Sequence, residues 1–309
     1  LVDLAVEWLL QYSGESTVID SGSYPGVGDR LGQVEGYLSA SALAVVWFGP
    51  APGDRPDPWG EAGELLARIE AEFPGRLLTG PEDVDRFDQE PEGGLTWAVA
   101  GLRGVSAMLQ SQPDSGRLAR LVDRGVRAFR LAGLVDHPPA PGEDLPLAIE
   151  DRRAIETIAS AARSPMMLDL AGLGPRASGE AIDAVEESKG SLVPIVSLGG
   201  SSGRTIAGLR PEDFDRIKQL GGVVGLGVGR AFHRDADELA DAIGAIAGRG
   251  GPDGVAIGTG FLGIEEPSGA IEDAPALLDW CAGRFDPETA SRLCWANARQ
   301  AIRRAIGGR

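Results

Sequence analysis

The chain has 309 residues, 46 acidic against 29 basic, with two histidines, two cysteines and a formal net charge of −17 at pH 7. That excess of negative charge repels nucleic-acid phosphates and anionic lipid surfaces, so neither is an expected partner. Cys281 and Cys294 are too few for a disulfide scaffold, no run of about 20 apolar residues suits a bilayer span, and the N-terminus lacks the basic flank and apolar core of a signal peptide. A cytoplasmic setting with no membrane segment is the expectation, and the missing initiator Met is read as a sign of a lost upstream segment.

Eight short apolar runs recur along the chain, at 2–6, 42–48, 95–102, 126–131, 165–170, 192–196, 222–228 and 254–257. Each is bounded by Gly, Pro or charge and predicts a buried strand. After the second run comes an irregular loop at 49–58 carrying Pro50, Pro52, Pro56 and Pro58; a second such loop, 138–146, follows the fourth run. Helices fill the gaps: 117–124 stopped by Gly125, 149–162 stopped near Ser164-Pro165, and 214–220 opened by Pro211-Glu212-Asp213 and stopped by Gly221-Gly222. Asp286-Pro287-Glu288 opens the closing helical region in the same way. Strands alternating with helices predict an α/β fold, a (β/α)8 TIM barrel formed as a single domain over 1–309. Chemistry in such a barrel sits at the C-terminal strand ends, and here those ends carry few metal-binding side chains.

Taken in order, the segments resemble the membrane (renal) dipeptidase family, the M19 peptidases of the amidohydrolase superfamily. Val2-Asp3-Leu4-Ala5-Val6-Glu7 resembles the family's first strand, ending in His-x-Asp, and the stretch from Ala98 to Met108 its third, where a bridging Glu is expected. Gly125-Val126-Arg127-Ala128-Phe129-Arg130-Leu131 resembles the fourth strand, 165–172 the fifth and 194–202 the sixth. Gly221-Gly222-Val223-Val224, 254–263 and 293–297 continue the resemblance to the closing helix. It implies a metal-dependent hydrolase barrel with two zinc ions, in a protein that is often dimeric.

The family's metal positions hold other residues in this chain. The first His and Asp fall on Ala5 and Glu7, the bridging Glu on Arg103, the two later histidines on Gly172 and Leu198, the last acid on Gly260, and the substrate-facing His on Gly133. A zinc pair needs several N or O ligands on each ion, and one carboxylate cannot supply them. The expectation is therefore no metal cofactor, with Glu7, Arg103, Arg130 and Asp169 forming a charged network at the barrel mouth.

Gly199-Gly200-Ser201-Ser202-Gly203 fits the G-x-S-x-G pattern, with His233 and Asp213 or Asp215 downstream, but no helix follows at once as a nucleophile elbow requires. The same loop, with Ser197, Ser201, Ser202 and Arg204, could hold a carboxylate or phosphate; in the resembled family a basic residue near the place of Arg204 contacts the substrate carboxylate. Gly225-x-Gly227-x-Gly229 lacks dinucleotide spacing and is read as close backbone packing. The reading that results is a dipeptidase-like barrel that has lost its zinc ligands, a pseudoenzyme or a binder of a small anionic or peptide-like ligand, and a candidate homodimer. The alternative is a hydrolase without the two-zinc centre, in which Glu7 or Asp169 is the general base and Arg103 or Arg204 holds an anionic substrate.

Overall fold

The computed structural model describes residues 6–13, 43–50, 56–89, 97–131, 144–202, 205–206, 208–230, 232–258, 271 and 274–307. The strands are β1 (Val6–Ser13), β2 (Leu43–Gly49), β3 (Trp97–Arg103), β4 (Val126–Arg130), β5 (Met166–Asp169), β6 (Leu192–Gly199), the short β7 (Ser201–Ser202) and β8 (Thr205–Ile206), β9 (Val223–Gly227) and β10 (Val255–Gly258). Between them lie α1 (Pro58–Glu72), α2 (Pro81–Gln89), α3 (Val105–Ser111), α4 (Ser115–Asp123), α5 (Ile149–Ala161), α6 (Pro175–Glu187), α7 (Pro211–Gln219) and α8 (Ala236–Gly250). After β10 come α9 (Ala274–Arg284), α10 (Pro287–Ser291), a π-helical turn at Arg292–Ala296 and α11 (Asn297–Gly307).

The large sheet is parallel and curled, in the order β1-β2-β3-β4-β5-β6-β9-β10. Among the described residues no hydrogen-bonded ladder joins its last strand to its first. Side-chain alternation divides the core in two. Val46, Phe48, Leu102, Phe129, Leu168, Val196, Leu226 and Ile257 turn outward under the helices, while Leu43, Val45, Trp47, Val99, Ala128, Met167, Ile195 and Ala256 fill the concave side. Helix α11 closes the N-terminal end of that concave core with Ala298, Ala301, Ile302, Ala305 and Ile306. Strands buried on both faces read as nearly continuous apolar runs, and for that reason seven of the runs coincide with strands.

Of the first predicted run, only Val6 lies among the described residues, and the described strand continues beyond it. It covers Val6–Ser13, overlaps the run 2–6 at Val6 and pairs in parallel with β2. Helix starts follow side-chain chemistry: Asp57, Asp114, Asp235 and Asp286 each accept hydrogen bonds from backbone N–H groups in the following turn. Each such cap contributes roughly 1 kcal/mol by satisfying otherwise orphaned donors. No helix among the described residues is long and apolar enough to cross a membrane.

Candidate functional site

Parallel register brings the C-terminal ends of β3, β4 and β5 level with one another and with the middle of β6. Arg103, the last residue of β3, stands beside Arg130, the last of β4; Arg130 stands beside Asp169, the last of β5; and Asp169 stands beside Ile195 of β6. Alternation turns Ser197, two residues past Ile195, to the same face. The outcome is a buried cluster. Arg130 Nε donates to Asp169 Oδ2 at 2.7 Å, and Nη2 donates to Asp169 Oδ2 and to Ser197 Oγ. The Ser197 hydroxyl donates in turn to Asp169 Oδ2 at 2.7 Å, while the backbone N–H groups of Ser197 and Ala171 donate to Oδ1 at 2.9 and 3.1 Å.

Asp169 thus accepts from every side, and its side chain is 0% exposed against 5% for Arg130. Five donors converge on a group with about four lone-pair positions, so no acceptor site is left over. The guanidinium plane lies over the Trp47 ring, 4.5 Å from its centroid, and that ring lies where a side chain on Gly101 would stand. Charge pairing, cation–π contact and a glycine gap together fix Arg130 in one orientation. Arg103 is also buried, at 3% exposure, with its Cγ against Gly49 of β2.

The strands opposite carry glycines at this level. A methyl on Gly258 would lie 2.2 Å from the Ser197 carbonyl oxygen, and one on Gly225 2.5 Å from the same atom. The reading of Gly225 and Gly227 as close backbone packing is met in this contact, and Gly227 also admits the Phe232 ring. His233, next to Phe232, is buried with Nδ1 2.8 Å from the Gly227 carbonyl oxygen, and burial pushes its pKa below the usual imidazole value.

Of the four residues expected to form a charged network, the described side chains bring Arg130 and Asp169 together. Glu7 is the second residue of β1, not a residue past its end, and pairs with Ala44, itself level with Ala98. That places the Glu7 backbone near the start of the strands, while Arg103 ends β3, roughly 16 Å further on at about 3.3 Å of rise per residue. The Glu7 side chain lies outside the described residues, as do Arg204, His137, Gly133 and Gly260. Of the expected members, Arg130 and Asp169 meet, and Ser197, read from sequence as part of an anion loop, is their third partner. Its signal was its place on the inward face of the adjoining strand.

The G-x-S-x-G stretch does not lead into a helix, in line with the sequence reading against a nucleophile elbow. Ser201–Ser202 pairs antiparallel with Thr205–Ile206, so the chain runs from strand into a hairpin instead of a helix. Asp213 is buried between Arg210 and Arg216, its carboxylate already committed.

No protein-family model and no curated protein sequence matches this chain. Solved structures do. Dipeptidase AC, a metallopeptidase of family M19, superposes with a TM-score of 0.68 at 16% identity, covering 98% of each chain. The fold is that of the M19 dipeptidases and amidohydrolases. An amidohydrolase from Pseudomonas aeruginosa gives 0.65 at 14% identity over 99% of this chain and 96% of its own, and the probable dipeptidase PvdM from the same organism 0.64 at 16% over 99% and 95%.

Zinc, which the M19 likeness implies, does not suit the described donors. No three His, Cys, Asp or Glu side chains among the described residues come together. Asp169 is saturated, a guanidinium rests on it, and Gly172, at an expected histidine position, has φ of +88°, where a side-chain-bearing residue is strained.

Proposed function

We propose that this protein is an M19-type member of the amidohydrolase superfamily whose zinc centre has been replaced by the Arg130–Asp169–Ser197 cluster, and that it does not hydrolyse dipeptides by a two-metal route. The single observation carrying this reading is the commitment of Asp169: both oxygens are filled by protein donors, and the charge beside it is a fixed guanidinium. A cation placed there would meet Arg130 and would have to break a desolvated ion pair. The curled sheet is read as a closed (β/α)8 barrel in one domain, with β1 completing the ring beside β10. Arg103 and Arg130, both brought to the strand ends, favour a small anionic ligand over a cationic one. The hydrolase alternative with Asp169 as general base gains no support, because a base needs a lone pair facing substrate.

Elemental analysis and dipeptide assays test the reading directly. Purified protein is expected to retain no stoichiometric zinc and to release no amino acids from dipeptides when zinc is added. Retention of about two zinc ions per chain, or zinc-dependent hydrolysis, would overturn it.

A further inference from the structure

Far along the chain from the strand-end cluster, the two cysteines meet. Cys281 lies on α9 and Cys294 in the π-helical turn between α10 and α11, thirteen residues later, with their sulfurs 3.3 Å apart. Both are buried, at 1% and 5% exposure, and both are free thiols. The π turn allows this meeting. A widened turn adds a residue to the helical repeat, so Leu293 and Cys294 turn inward while α11 continues with its own buried face toward the sheet.

We propose that Cys281 and Cys294 are a modification site, a dithiol that closes reversibly to a disulfide and clamps α9 to the segment leading into α11. A sulfur separation of 3.3 Å needs to shorten by only about 1.3 Å to reach bonding distance, a change within reach of side-chain rotation. The segment clamped is important to the fold because α11 closes the concave core through Ala298, Ala301, Ile302 and Ile306.

The chemistry is thiol–disulfide exchange with a small-molecule disulfide as oxidant. Cys294, the more exposed of the two, loses its proton to solvent and attacks one sulfur of that disulfide, releasing one thiol. Cys281 then loses its proton and attacks the Cys294 sulfur; the protein disulfide forms and the second small thiol leaves. Two protein thiols are oxidised and one small disulfide is reduced to two thiols. The neighbouring Cys294 sulfur and burial push the Cys281 thiol up, which makes the second step slow and keeps the reduced form inert between oxidative episodes.

The test equilibrates the full-length protein with glutathione buffers of graded reduced-to-oxidised ratio, in urea below the unfolding transition so that local opening is not limiting. Acid quenching, alkylation under denaturing conditions and intact-mass measurement follow. The expected result is a species lacking two hydrogens, with neither cysteine alkylated, and a melting temperature raised by roughly 5 °C over the reduced form. Cys281→Ala and Cys294→Ala should each abolish the oxidant-dependent rise. Two alkylatable cysteines at every ratio, or disulfides only between chains, would overturn the proposal. Loss or retention of zinc binding is read separately, so the proposed function can fail without touching this pair.

Discussion

Asp169 shows how one side chain can decide what a strand end does. A carboxylate at 0% exposure is tolerable only if its charge and lone pairs are met, and Arg130, Ser197 and two backbone N–H groups meet them. Removing one member leaves the other charge buried alone, so Asp169→Ala should cost about 3–5 kcal/mol in urea unfolding. Arg130→Met with Asp169→Leu should restore most of that stability, since an apolar pair of similar volume carries no desolvation penalty. A single-variant loss below about 1 kcal/mol would show that the pair is solvated. His233 carries a different consequence. Its folded pKa is depressed, so below about pH 6.5 the unfolded chain binds the proton more readily and stability must fall as pH drops toward the folded value. The wild type should therefore lose stability between about pH 7 and pH 5, and His233→Gln should flatten that part of the curve. An unchanged slope in the variant would remove His233 from the account.

At the scale of elements, glycine has opposite meanings on strand and helix. Gly258 lets β10 come within contact of the Ser197 carbonyl, whereas Gly244 on α8 has open space around it. Gly258→Ala should destabilise by roughly 1–3 kcal/mol through overpacking against backbone, and Gly244→Ala should stabilise by about 0.5–1 kcal/mol through helix propensity. Thermal melts of the two variants moving in the same direction would contradict this contrast. The glycines of β9 were legible as a close-packing signal, but the atom that Gly225 approaches was not, because it belongs to β6 and is brought near only by strand pairing. Helix starts at Pro211 and Asp286 were legible from the first turn alone, since capping is local chemistry.

For the whole molecule, the order of strands and helices was written in the chain: apolar runs of strand length, stopped by Gly or Pro and spaced by capped helices, leave a parallel α/β sheet as the consistent arrangement. The lack of histidine at the resembled metal positions was equally a property of the sequence, because residue identity needs no coordinates. Which charges meet was legible only in part. Arg130 and Asp169 lie 39 residues apart and Arg130 and Ser197 67, and only strand register makes them neighbours. The same register carries Glu7 toward the opposite end of the sheet, although its chemistry suited the network as well as that of Asp169 did. Composition and periodicity determine which elements form because those preferences are local. The partner of a buried charge is settled by tertiary structure, because desolvation and pairing depend on distances set by the packed sheet.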